Sequence, residues 1–171
     1  FETLFDTAEI TGLVGGEFGI IFGLNKIFQL NFVGGSSIFQ LRTIEQERGC
    51  IAHGSLVTVG NKSYFLSQDG FAVTDGETTK LIGENKIDDF FDGDVDPSNL
   101  LRITSGHDPL NKLIFWSYPS TNSSSGNPDK ILVYNYSADR FSTINIATQF
   151  VGSAFTTGTT LEQLDNISTN I

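Results

Sequence analysis

The sequence predicts an all-β protein built from antiparallel β-meanders that recur about three times, a partial β-propeller-like array. Residues 56–82, LVTVGNKSYFLSQDGFAVTDGETTKLI, hold short apolar runs separated by strong turn signals. Asp69-Gly70 and Asp75-Gly76 each supply a glycine that accepts positive φ at no steric cost, so the runs around them read as consecutive hairpins. The same grammar returns upstream and downstream. Anchored on Phe18, Ser63 and Leu113, the copies are spaced by roughly 45 to 50 residues, the period of propeller blades and longer than most helical repeats. Composition agrees: 15 Phe and 18 Gly beside no Met and four Pro suit many short strands joined by tight turns.

Residues 1–10 are mixed in pattern and fit either a short helix or the tail of an earlier blade. Residues 11–16, TGLVGG, read as a pliable lead-in to a strand. The first unit, 16–45, has apolar runs at 18–22, 27–33 and 38–41, divided by Gly23-Leu24-Asn25 and Gly34-Gly35-Ser36-Ser37. Residues 42–52 connect it to the second unit, with Glu45, Glu47 and Arg48 on a solvated face. The second unit covers 55–86. A third, 100–147, has runs at 113–118, 131–136 and 141–146, a long polar loop and a turn at Ser137-Ala138-Asp139-Arg140. In these units Phe65, Phe71, Phe115 and Ile131 fall on inner faces by period two. Helix is expected only near residues 87–91, where Ile87, Phe90 and Phe91 should pack inward with the aspartates solvated, and in a C-terminal helical start at 161–171.

A chain of 171 residues with 39% hydrophobic content buries a sizeable core and reads as one module. Twenty acidic against 10 basic residues leave a net charge of -10, which argues against a basic footprint for nucleic acid but suits a wall past which nucleic acid slides. The longest apolar stretch, 18–33, is interrupted by Asn25, Lys26, Gln29 and Asn31, so no membrane span is expected. No basic-then-apolar leader opens the sequence, and the lack of an initiating Met predicts a trimmed or partial chain. Cys50 is the one cysteine and permits no internal disulfide.

Motifs for chemistry are weak. Asp92, Asp94 and Asp96 have the alternation of a calcium loop, but Pro97 stands where the loop needs Gly and Ile103 where it needs its twelfth-position Glu. Cys50 and His53 form a lone Cys-x-x-His pair, short of a zinc set. Gly15, Gly16, Gly19 and Gly23 lack the strand-before, helix-after setting of a dinucleotide loop. Ser123, Ser124 and Ser125 sit in a polar loop with no nucleophile-elbow motif. Asn-x-Ser sequons start at Asn61, Asn122, Asn135 and Asn166 and matter only in a secreted eukaryotic context. Trp116 and Tyr118, with the aspartate cluster, support an alternative: a carbohydrate-binding or glycoside-hydrolysing propeller. No catalytic, cofactor or metal residue is assigned.

One resemblance spans about nine tenths of the chain. The phrases GGEFGIIFGLNKIFQLNFVGG, IFQLRTIEQERGCIAHGSLVTVGNKSYFLSQDGFAVTDG and IGENKIDDFF, continued by NKLIFWSYPS and DKILVYNYSADRFSTI, resemble virion proteins of tailed bacteriophages and prophages. The most specific elements are Arg48-Gly49, the hairpin from Phe65-Leu66-Ser67 to Gly70-Phe71, and residues 112–119. The resemblance implies a tail hub or nozzle component below the portal and its adaptor ring, some relatives of which carry β-propellers and assemble as rings. It implies no enzyme activity and no cofactor.

Three units are too few for a closed propeller of four to eight blades, so the array is expected either to belong to a longer polypeptide or to be completed by a neighbour. The expected partners are sister subunits in a ring, a hexamer among the stoichiometries, then portal, adaptor or other tail proteins, and DNA in transit without specific binding. Acidic loops at Asp69, Asp75, Glu77, Asp92, Asp94, Asp96 and Asp139 are the candidates to face the ring axis or an interface.

Overall fold

A computed structural model describes residues 9–154 other than Ser36. The protein is all-β, with twelve strands in three four-stranded antiparallel sheets among the described residues. The first sheet contains β1 (Ile10–Val14), β2 (Gly19–Gly23), β3 (Ile27–Phe32) and β4 (Phe39–Glu45) in sequential order. The second contains β5 (Val57–Val59), β6 (Lys62–Ser67), β7 (Gly70–Thr74) and β8 (Thr79–Leu81). The third contains β9 (Thr104–Asp108), β10 (Leu113–Tyr118), β11 (Lys130–Asn135) and β12 (Arg140–Asn145). Helix α1 (Asp88–Asp94) and a 3₁₀ segment at Pro97–Arg102 link the second sheet to the third; a short 3₁₀ turn at His53–Ser55 precedes β5.

The anchors Phe18, Ser63 and Leu113 mark the second strand of each sheet, and the turn grammar holds. Gly70 and Gly76 take φ of +114° and +87° in the hairpins that Asp69-Gly70 and Asp75-Gly76 announce. At Gly76 the missing side chain has a second use, because a Cβ there would overlap the Phe18 ring of the first sheet.

The second sheet is the shared wall of two cores. On one side Phe65 and Ala72 meet Ile20, Phe22 and Ile27 of the first sheet, with Cys50 between. On the other, Val57, Tyr64, Leu66 and Phe71 meet Ile114, Trp116, Tyr118, Leu132 and Tyr134 of the third. Alternating residues of β6 therefore point into different cores, which is why that strand reads as a continuous buried run. Ring contacts give the cores direction: Phe22 meets Phe65 edge-on at 5.1 Å, and Phe71 lies 4.6 Å from Trp116 and 4.9 Å from Phe91.

Four expectations are corrected. Residues 11–16 are no pliable lead-in, since Ile10–Val14 is the edge strand of the first sheet, bent by an irregularity between Ile10 and Gly12. Strand β9 went unrecognised, because Thr-Ser-Gly-His-Asp carries no apolar alternation. In the third sheet Phe115 and Ile131 are only half-buried, while Ile114, Trp116, Tyr118 and Leu132 point inward. The register is set by the two largest groups, whose polar tips find partners in the core: Trp116 Nε1 donates to Ser55 O at 2.7 Å and Tyr118 Oη to Asp94 at 2.8 Å. In α1, Phe90 is 47% exposed, whereas Asp88, expected in solvent, is 8% exposed. Phe65 and Phe71 are fully buried as expected. The helical start at 161–171 lies outside the described residues.

Candidate functional site

The acidic turns are the candidate site, and most of their carboxylates are engaged locally. Asp69, at the β6–β7 turn, accepts from Arg48 Nε at 2.8 Å, and Arg48 also reaches Glu45 at 3.4 Å. Around this pair the Arg48-Gly49 connector ties the first two sheets together. Gly49 N donates to Gln68 Oε1, Gln68 Nε2 donates to Leu24 O, and Cys50 N donates to Gly23 O at 2.9 Å. Gly49 lies so close to Gly23 O that no Cβ fits there.

Asp75 accepts from the backbone N–H of Thr78 at 2.8 Å and of Glu77 at 3.0 Å, and these donors hold its carboxyl below the usual range. Asp96 accepts from Asn99 Nδ2 at 2.7 Å and Ser98 N at 2.9 Å, capping the 3₁₀ segment, and is lowered by Asn99 first and the Ser98 N–H second. Asp139, at φ +54°, bridges Lys86 at 2.6 Å and Tyr134 Oη at 3.0 Å; Lys86 and then Tyr134 lower it. Asp94 joins Lys130 at 2.6 Å to the Tyr118 hydroxyl. Tyrosine, aspartate and lysine thus recur as a unit at Tyr118–Asp94–Lys130 and Tyr134–Asp139–Lys86, locking α1 and the β8–α1 link onto the third sheet. Burial, then the adjacent carboxylate, raises both tyrosines. Asp92 is exposed on α1 and Glu77 exposed at the β7–β8 turn; neither carboxylate has a hydrogen bond among the described residues.

Asp75 and Glu77 share a cleft of about 430 Å³ with Glu17, Phe18, Thr58 and Asn61, between the first and second sheets. Asp92, Asp94 and Asp96 do not converge, and among the described residues no group of three or more His, Cys, Asp or Glu is arranged to hold a metal. Cys50 is buried, with Sγ 3.2 Å from Ala52 O and its thiol pushed up by desolvation; His53 is exposed. Trp116 and Tyr118 are fully buried, which removes the aromatic groove on which a carbohydrate site would rest. No family model and no curated protein matches this chain. No helix among the described residues is long and apolar enough to cross a membrane.

Two features escaped the sequence. Asp88 accepts from Phe71 N at 3.1 Å in a cradle left by Gly70 and Gly83, and its Oδ2 has no partner. Desolvation raises its pKa, with Asp92, Asp89 and Glu84 adding repulsion, and the Phe71 N–H opposes them. The second feature is the outer face of the first sheet. Residues opposite to the buried Ile20, Phe22 and Ile27 are Leu13, Ile21, Phe28, Leu30, Phe32 and Phe39, of which Leu13, Phe32 and Phe39 are 69%, 74% and 54% exposed, Ile21 and Leu30 are half-buried and Phe28 is buried. The signal was present in β3, Ile-Phe-Gln-Leu-Asn-Phe, where Phe28, Leu30 and Phe32 alternate with Gln29 and Asn31 on the face opposite Ile27.

Proposed function

We propose that this chain is a structural module of a bacteriophage tail hub or nozzle, a non-enzymatic part of a ring-shaped DNA conduit that docks neighbouring virion proteins. One observation carries the reading beside the sequence resemblance. The turns are studded with carboxylates that local donors hold ionised and in place, as at Asp75, Asp96 and Asp139. DNA carries one negative charge per ~1.7 Å of duplex axis, and a lumen of lysine or arginine would retain it through counterion release. Fixed negative charge on rigid turns does the reverse, and the net charge of -10 supplies the field. In this reading the chain works in the virion, among sister subunits and portal or adaptor proteins, without a cofactor.

Charge reversal tests the reading where no hydrogen bond is lost. Lysine at Glu77 and Asp92 leaves the bonded carboxylates in place, so assembly should persist while DNA delivery slows, more at low salt where screening is weak. Unchanged delivery by assembled particles carrying both lysines contradicts the electrostatic part. Cleavage of polysaccharide by the purified wild-type chain contradicts the structural part.

A further inference from the structure

An unpaired strand edge offers its backbone to another chain unless it is short, bulged, charged or covered. Most edges of the three sheets are blunted in one of these ways. Strand β1 is bent by the irregularity between Ile10 and Gly12, and β5 and β8 are three residues each. Strand β9 lies against residues 151–153, where Ser153 Oγ accepts from His107 N at 2.8 Å. Strands β4 and β12 remain open. The exposed positions of β12 are Arg140, Ser142, Thr143, Ile144 and Asn145, polar save one. Strand β4 differs: at seven residues it is the longest among the described residues, it has no proline, and its irregularity is confined to the Glu45 end.

The ladder with β3 fixes which groups of β4 are free. Val33 N donates to Ile38 O at 3.0 Å, so alternation makes Asn31–Gln40 and Gln29–Arg42 the next hydrogen-bonded pairs. Gln40 and Arg42 therefore turn their backbone groups toward β3. Phe39, Leu41 and Thr43 turn theirs outward, with no partner among the described residues. The side chains of these three lie on the same face as Phe28, Leu30 and Phe32, a face on which Phe32 and Phe39 meet edge-on at 5.9 Å.

We propose that β4 pairs with β4 of a second copy of this chain, antiparallel about a two-fold axis at Leu41, so that the two first sheets merge into one. Centred there, Leu41 meets the partner's Leu41, and Phe39 meets the partner's Thr43, which engages all three outward-facing residues as hydrogen-bonded pairs. Leu30 and Leu41 of the two copies then form one aliphatic row. Arg42 stands opposite the partner's Gln40. Moving the axis to Arg42 would set two arginines directly opposite each other, and moving it to Gln40 would leave Thr43 unpaired. The edge is thus complementary to itself in one register. The inference goes beyond the tail reading and does not rest on it.

Light scattering on the 171-residue chain should give twice the 18.6 kDa chain mass. A monomer at submillimolar concentration overturns the proposal, as does an open series of larger species, because a two-fold contact closes at two. Thr43→Pro removes an outward N–H and no bond within the chain. Proline is tolerated on an edge strand, so the fold should persist by circular dichroism while the dimer weakens about tenfold or more. An undiminished dimer of folded Thr43→Pro overturns the contact. Gln40, whose side chain is exposed, tests the register without disturbing the fold. Gln40→Glu places a carboxylate opposite the partner's Arg42 twice in each dimer and should tighten it about fivefold, whereas Gln40→Lys should loosen it by as much. Net charge alone predicts the reverse order, because each copy carries -10, to which Glu adds and which Lys relieves. A Gln40→Lys dimer as tight as the Gln40→Glu dimer, or tighter, overturns the pairing.

Discussion

Asp88 is where a single residue says most about this protein. Its carboxylate closes the start of α1 onto the backbone of Phe71, yet only one of its oxygens has a partner, and burial raises its pKa. A raised value means that Asp88 contributes most below the unfolded carboxylate pKa of about 3.9 and that its contribution is lost as pH rises through the folded value. Asp75, Asp96 and Asp139 are lowered, so their contributions hold above the unfolded pKa and fade only as pH falls through their folded values. The two windows lie on opposite sides of the ordinary range. Thermal melts between about pH 4 and about pH 7 should therefore show Asp88→Asn losing less stability than wild type as pH rises. Parallel curves would mean that Asp88 ionises without cost. Asp88→Ala removes the acceptor of the buried Phe71 N–H and should cost about 1–3 kcal/mol at low pH. The sequence could not single out Asp88, since IDDFF offers two aspartates and two phenylalanines and only the docking of α1 decides that Asp88 and Phe91 turn inward.

At the level of elements, strands whose apolar residues alternate were legible, and those shaped by close approach were not. Strands β2, β6, β7, β10 and β11 carry their pattern openly; β1 and β9 are edge strands whose glycines are demanded by neighbours. At Gly12 a Cβ would strike Leu56, and at Gly106 it would press on Gly152. A residue chosen for what it leaves out erases the periodicity that identifies a strand. The third sheet illustrates the opposite limit: its alternation was visible, but either phase buries apolar groups, and the partners of Trp116 and Tyr118 chose between them. The connector gives a paired test. Gly49→Ala forces a methyl against the Gly23 carbonyl that accepts from Cys50 N, and should destabilise by about 1–3 kcal/mol. Gly93→Ala, on α1 with open space around it, should stabilise by roughly 0.5–1 kcal/mol. Equal effects of the two in denaturant titrations would mean that the connector does not clamp the first two sheets.

For the whole molecule, the repeat and its period were legible in the spacing of Phe18, Ser63 and Leu113, because each anchors the same strand of its sheet. The acidic turns were legible as turns, but not as bonded groups: Asp94 and Asp139 meet lysines 36 and 53 positions away, which no local pattern reveals. Nor did composition disclose that the terminal sheet shows its apolar face outward. What the scaffold reading needs most is that three sheets behave as one body, with the second sheet transmitting stability between two cores. Trp116 is the single tryptophan and reports on the core shared with the third sheet; Phe65 lies in the core shared with the first. Thermal unfolding of Phe65→Ala, followed by Trp116 fluorescence and by far-ultraviolet circular dichroism, tests that coupling. Truncation should cost about 3–5 kcal/mol and shift both transitions down together, superimposed as in wild type. A Trp116 transition that stays at the wild-type midpoint while part of the dichroism melts earlier would contradict a single stacked body.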